Sequence, residues 1–190
     1  MEKLVATVRS LYICLTDESG SKEKTSIQAE IDGIVGDRHR SYVRKTWPGE
    51  RQVETTRRNE RQWSAVSFEE LTGIEKTLDL SERLQASHLS ANICIEGIEH
   101  FSKLPKGTLL KFPSGAELLV EGYNPPCHYM GKKIAALYKT NSGKKILTTA
   151  FSKASKLSRG LVGVVEVPGP INAGDEVSIF IYKTPAWLKT

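Results

Sequence analysis

Apolar and polar residues alternate along several short stretches of this chain, the period-2 signature of strands with one buried face. Leu4 to Leu15 alternates loosely and predicts a strand, and Ser26 to Ile34, with Ile27, Ala29 and Ile31 in phase, predicts a second. Asp17 to Lys24 between them is polar around Gly20 and predicts a turn or loop. Leu89 to Ile95 reads as a short buried strand. Thr108 to Phe112 and Ala116 to Tyr123, split by Pro113-Ser114-Gly115, read as a hairpin. Leu161 to Val167 and Glu176 to Tyr182 read as two closing strands, separated by Pro168-Gly169-Pro170 and by Ala173-Gly174-Asp175, where Asp175 has a structural turn role.

The period changes at Ser67. Ser67-Phe68-Glu69-Glu70 fits a capping box, with Leu71, Ile74 and Leu78 following at helical spacing, and this predicts a helix over about Phe68 to Leu78. Two further short helices are expected near Ile134 to Tyr138 and Thr149 to Leu157. Many short strands, Gly/Pro turns and few helices place the chain in the mainly β class, as a closed β-barrel or sandwich. Residues 41–61 fit neither pattern: they are rich in Arg, with Trp47-Pro48-Gly49 as a break, and loops of that length are usually functional or disordered.

A length of 190 residues with 39% hydrophobic and 26% charged residues suits one domain with a real core. No apolar run approaches the roughly 20 residues of a membrane span, and the N-terminus lacks a signal-peptide apolar segment. Three cysteines, Cys14, Cys94 and Cys127, with no C-x-x-C spacing make neither a disulfide framework nor a zinc site, and the expectation is a reducing cytoplasm. Cys14 and Cys94 lie within apolar alternation and are expected to be buried.

Charge sharpens this picture. The net charge of +5 hides two basic segments: residues 38–61 carry +5, and residues 122–165 carry eight Lys or Arg and no acid, leaving the remainder at −8. An anionic partner follows: a phosphate-bearing cofactor, an acidic protein surface or nucleic acid. No recognised RNA- or DNA-binding pattern is present. Trp47 and Trp63 flanking the Arg-rich stretch are read as packing residues.

Cys127 sits at the start of the acid-free segment, in Asn124-Pro125-Pro126-Cys127-His128, where a predicted strand ends. The prolines fix the backbone before the thiol. Positive surroundings favour the thiolate, which is the nucleophile and the metal ligand; the alternative is a packed cysteine. A Cys–His pairing needs a partner. His128 is adjacent in sequence and on an extended chain points away, so His39, with Asp37 to orient it, is the better candidate. The alternative for His39 is a loop histidine bonded to Asp37. Arg38, Arg57, Arg58 and Arg61, with Arg51 upstream, suit phosphate or carboxylate recognition, and Arg159 could face the same rim as Cys127. Gly160 is read as a helix C-cap and Gly163 as a place of close backbone approach.

These residues add up to an ordered set: Gly33-Ile34-Val35-Gly36-Asp37-Arg38-His39; Leu89-Ser90-Ala91-Asn92-Ile93 with Gly97-Ile98; Pro126-Cys127; Arg159-Gly160 with Gly163; and Gly169-Pro170-Ile171-Asn172-Ala173-Gly174-Asp175. The set resembles the MOSC family, named for the C-terminal domain of molybdenum cofactor sulfurases, over about residues 27–181. The resemblance implies a closed barrel, a stand-alone MOSC-like domain and a role in handling the molybdenum cofactor, a pterin dithiolene with a terminal phosphate. Cys127 matches the family's cysteine and is expected either to carry sulfur as a persulfide or to ligate molybdenum. Asp37 and His39 would assist it, and Arg38, Arg57, Arg58, Asn92 and Arg159 would hold the cofactor. The family pattern Gly-Glu-Asn is Ser90-Ala91-Asn92 here, so no role for that Glu carries over. Pyridoxal phosphate would enter only through a separate cysteine-desulfurase-like partner. A molybdenum-dependent reductase of N-hydroxylated substrates would instead need an electron-donor protein. The third reading is a basic binding module without catalysis.

Overall fold

The computed structural model describes residues 2–16, 20–46, 50, 52, 54–185 and 187. The strands are β1 (Glu2–Thr16), β2 (Gly20–Lys24), β3 (Ser26–Glu30), β4 (Gly33–Ile34), β5 (Val43–Lys45), β6 (Thr56–Arg58), β7 (Trp63–Ser67), β8 (Ile93–Glu96), β9 (Leu109–Lys111), β10 (Glu117–Tyr123), β11 (Leu161–Val167), β12 (Gly169–Asn172) and β13 (Glu176–Ile181). The helices are α1 (Phe68–Thr77), α2 (His128–Leu137) and α3 (Ala150–Ala154). Seven strands close a barrel in the order β13-β9-β10-β11-β7-β8-β1, with β1 pairing back onto β13. This is the mainly β, barrel-forming class that the strand pattern predicts. Closure leaves no free edge among these seven.

The 15-residue β1 serves three partners in turn: β13 at its start, β8 through its middle and β2 at its end. A register shift between Val8 and Ser10 accompanies the passage through the middle, as a bulge bends and twists a strand. Two expectations change here. Part of the polar stretch 17–24 is strand, because the second half of β1 needs a pairing partner and β2 supplies it. The predicted strand 26–34 is a hairpin, β3 turning at 31–32 into β4, with β12 on its other side. The Arg-rich stretch likewise folds back as the hairpin β5–β6; Trp47 and Arg51 lie outside the described residues.

The barrel interior is filled by Leu11, Ile34, Trp63, Phe101, Leu110, Phe112 and Leu118, all essentially without exposure. Burying each such side chain contributes about 1.5–3 kcal/mol. Trp63 is a core residue, its indole N–H donating to the Val164 carbonyl at 2.9 Å. A Cβ on Gly163 would lie 1.9 Å from the Leu119 carbonyl oxygen and 2.4 Å from the Trp63 ring, so the close approach expected there is real. A second apolar cluster joins α1, α2 and α3 to the barrel's outer face through Val66, Ile74, Met130, Ile134 and Phe151.

The α1 start is half a capping box. The Ser67 hydroxyl accepts from the Glu70 backbone N–H at 3.2 Å. The Glu70 carboxylate does not reach back; it accepts instead from the Ser102 N–H (2.9 Å) and hydroxyl (2.6 Å). Gly160 is not a helix C-cap, because α3 ends at Ala154 with Ser155 as its cap. It has φ +96, and a Cβ there would lie 2.1 Å from the Ala65 carbonyl oxygen. The predicted strand 89–95 begins only at Ile93, since residues 86–89 form a 3-10 turn. No helix among the described residues is long and apolar enough to cross a membrane.

Candidate functional site

Three chain segments meet around one cavity of about 870 Å³. The first is the loop after β4. Asp37 is buried there, and its carboxylate collects donors from three parts of the chain: the Cys14 N–H of β1 (2.9 Å), the N–H and the Nδ1 of His39 (both 2.9 Å), and the Asn92 side-chain amide (2.7 Å). Burial alone would raise this carboxyl's pKa. The hydrogen bonds from His39 and Cys14 outweigh it and hold the group below the usual carboxylate range. An ionised carboxylate only accepts, so Nδ1 of His39 carries the proton and Nε2 is left for a ligand. The loop pair therefore exists, and the His39 ring also lines the cavity.

Asn92 passes the constraint on. Its Oδ1 accepts from the Ser64 N–H at 3.0 Å, and its Nδ2 also donates to the Tyr12 carbonyl at 3.3 Å. Beside it Ser90 adopts φ 55. That left-handed conformation is one that glycine adopts most readily. Ala91 is buried, where the pattern has Glu.

The second segment runs from the end of β10 into α2. Asn124 is pinned by its N–H to the Gly160 carbonyl (2.9 Å) and by Arg61, whose Nη2 donates to Asn124 Oδ1 (2.7 Å). After Pro125 and Pro126, Cys127 is the N-cap of α2, in an extended conformation (φ −117, ψ 161). Its Sγ accepts from the Met130 N–H at 3.4 Å. The thiol is exposed, whereas Cys14 and Cys94 are buried, and burial pushes the Cys94 thiol up to about 11. α2 begins at His128, six residues before the predicted start, and so the sulfur sits at the helix's N-terminus. His128 does not line the cavity.

The third segment is 159–163. Arg159 is 7% exposed, and its Nη2 donates to the Leu89 carbonyl at 2.8 Å. Its Nε and Nη1 are buried with no hydrogen-bond partner. Burial lowers the guanidinium's pKa to about 10, with Arg61 acting in the same direction and Cys127 opposing. The backbone beside it is held by a buried relay, Gly160 N–H to Ser102 Oγ (2.7 Å) to Glu70. Burial raises the Glu70 carboxyl despite the Ser102 hydrogen bonds.

Arg38, His39, Asn92, Cys127 and Arg159 all line the cavity, together with Arg61 and Lys133. The two basic segments thus converge. Arg57 and Arg58 do not join them: Arg57 reaches Glu50 at 3.4 Å, and Arg58 pairs with Glu121, which Lys106 also holds. Side chains of neighbouring strand residues alternate in direction, and local acids capture both guanidinium groups. Part of the lining, Arg44, Glu50 and Glu60, is one that the sequence did not point to. Arg44 forks onto Glu50 through two 2.8 Å bonds and also binds Glu60, which raises the Arg44 pKa further. These three residues are far enough apart in sequence that only the β5–β6 hairpin assembles them. Among the described residues no group of three His, Cys, Asp or Glu could hold a metal ion.

A small closed barrel that presents one exposed cysteine at a helix N-terminus, in a cavity lined by several arginines, defines a class of thiol-bearing β-barrels. The MOSC domain model matches residues 50–178, and the chain belongs to the MOSC domain family. The Bacillus subtilis protein YuaD, whose name assigns it provisionally to metal-sulfur cluster biosynthesis, is 32% identical over 186 residues, covering 96% of this chain and 94% of YuaD. The crystal structure of YuaD superposes with a TM-score of 0.88, covering 96% of this chain and 99% of that one. YiiM from Escherichia coli, at 13% identity, shares the fold with a TM-score of 0.58 over 97% of this chain and 72% of its own.

Proposed function

We propose that this protein carries sulfur on Cys127 in the service of a molybdenum-type pterin cofactor. The observation that carries the reading is the pairing of the only exposed cysteine among the described residues with Arg159, whose buried Nε and Nη1 lack partners, in one cavity. A buried, half-satisfied guanidinium is expensive unless an anion completes it. A phosphate-bearing ligand meets that need, and Arg159, Arg61, Arg38 and Lys133 are the residues that would hold it. When bound, the cofactor would supply the metal and dithiolene to which sulfur is delivered.

The chain's own chemistry is exchange at sulfur. The Cys127 thiolate attacks the terminal sulfur of a donor persulfide, R–S–SH. The donor's S–S bond breaks as the new one forms, R–SH leaves with the proton, and Cys127 is left as the persulfide anion. No net oxidant is needed. The α2 N-terminus and Arg61 stabilise the anionic sulfur before and after the step. The donor would be a separate desulfurase-type partner. The assignment of YuaD to metal-sulfur chemistry is in keeping with this reading.

The test is incubation with a persulfide donor followed by intact-mass analysis, together with pterin and molybdenum content of protein made in a cofactor-competent host. The expected result is one added sulfur on wild type, none on Cys127→Ser, and pterin retention that falls in Arg159→Met. Absence of both the persulfide and the pterin from wild type would sink the proposal. Molybdenum retained only with Cys127 present, without persulfide, would favour the thiolate as a metal ligand instead.

A further inference from the structure

We propose that the lysine-covered surface formed by α2 and the segment that runs back alongside it is the docking face for an acidic protein that exchanges sulfur with Cys127. This rests on the reading of Cys127 as a sulfur carrier and adds the partner's chemistry.

The geometry begins at α2. Its first turn holds Cys127 at the cavity, and its last residues lead to Tyr138 and a turn closed by the Thr140 hydroxyl donating to the Lys144 carbonyl at 2.7 Å. The chain then returns along the helix. Gly131 comes so close to residue 148 that a Cβ there would lie 2.0 Å from the Thr148 carbonyl oxygen. The segment that carries Lys144, Lys145 and Leu147 thus runs back past the helix that carries Lys132 and Leu137, and all five side chains are exposed. Tyr129, also exposed, joins this surface to the cavity that it lines.

The segment that forms this surface carries charge of one sign only. No acidic residue occurs between Glu121 and Glu166. Lys132, Lys139, Lys144, Lys145, Lys153 and Lys156 are exposed, and none takes part in an ion pair among the described residues. The acids that approach this surface come from residues 75–82: Asp79, which accepts from the Ser142 N–H (2.9 Å) and the Asn141 amide (3.2 Å) and acts on Lys144, and Glu75 and Glu82 near Tyr138. Elsewhere the arginines mostly find carboxylates: Arg9, Arg40, Arg44, Arg57 and Arg58 are all paired. A surface of unpaired lysines interspersed with exposed Leu137 and Leu147 is complementary to an acidic surface with apolar anchors. Lysine and leucine outnumber arginine and stacking aromatics here, Tyr129 being the exposed aromatic, and that balance favours protein over single-stranded nucleic acid.

The experiment uses the full chain and cysteine peptides activated as thionitrobenzoate disulfides. Cys127 attacks the peptide sulfur, the mixed disulfide forms and the coloured thionitrobenzoate anion leaves, while Cys127→Ser serves as the blank. Two peptides of equal length and apolar content, one rich in Glu and one rich in Lys, are compared with a small neutral disulfide. We expect the acidic peptide to react at least about 10-fold faster than the basic one at low salt, with the advantage collapsing in high salt. The triple variant Lys132→Glu, Lys144→Glu, Lys145→Glu should lose that advantage and keep its rate with the neutral reagent. A charge preference that is absent, or that survives unchanged in the triple variant, overturns the docking face. So does an oligonucleotide that blocks the reaction more strongly than an unactivated acidic peptide of equal charge. If the neutral reagent itself fails to modify Cys127, the reactive thiol is gone and the carrier reading fails first, which distinguishes the two failures.

Discussion

Burial of Arg159 leaves two guanidinium nitrogens with neither solvent nor protein acceptor, and the side chain's hold on its proton weakens accordingly. The sign follows from linkage. A cation whose folded pKa lies below its unfolded value weakens the folded state at neutral pH, and that penalty fades as pH rises through about 10. Arg159→Met should therefore leave the ligand-free protein no less stable at pH 7, or stabilise it by about 1–4 kcal/mol, while weakening anion binding. Thermal melts with and without inorganic phosphate read both effects, and a large loss of stability without ligand would contradict them. Asp37 behaves in the opposite sense. Its folded pKa is depressed, so its contribution is present above the unfolded carboxylate value and is lost as pH falls through the lower folded one. Asp37→Asn should cost about 1.5–3 kcal/mol at pH 7, from weakened hydrogen bonds to a charged acceptor, and the gap to wild type should close in acid. Denaturant melts across that range check it.

At the scale of elements, Cys127 does two things at once. It is the nucleophile candidate and the N-cap of α2. Cys127→Ser keeps a side-chain acceptor for the Met130 N–H and should leave stability within about 0.5 kcal/mol, whereas Cys127→Ala should cost about 0.5–2 kcal/mol. Both should abolish persulfide formation, so chemistry and capping separate in a pair of urea titrations alongside the mass assay. The same dual use explains why α2 was legible only in its second half. Met130, Ile134 and Tyr138 recur at four-residue spacing and are all buried in one cluster, but the first turn follows directly on two prolines and Cys127, so its period does not stand out in the sequence. Capping at α1 was legible from Ser67. The destination of the Glu70 carboxylate was not, because Ser102 lies 32 residues away.

For the molecule as a whole, closure of the barrel through β1 and β13 sets the frame on which the cavity is built. β13 pairs with both β1 and β9, so a chain ending at residue 175 loses two ladders and opens the barrel to a free edge. That truncation should abolish cooperative unfolding and collapse amide chemical-shift dispersion; a sharp thermal transition would show that closure is dispensable. The sequence by itself determined what local forces control: the period-2 strands, the hairpin at Pro113-Ser114-Gly115, the buried Cys14 and Cys94, the Asp37–His39 pair and the thiol placed by two prolines. Those depend on alternation, turn chemistry and neighbours a few residues away. Only the tertiary structure decided which cations face Cys127. Arg57 and Arg58 were named as candidates, but they pair with Glu50 and Glu121 and do not line the cavity. Arg159, Arg61 and Arg38 reach the cavity because barrel closure brings residues 38, 61, 127 and 159 to one place. The long-range pairing that sets these partners depends on contacts dozens of residues apart, which no local pattern encodes.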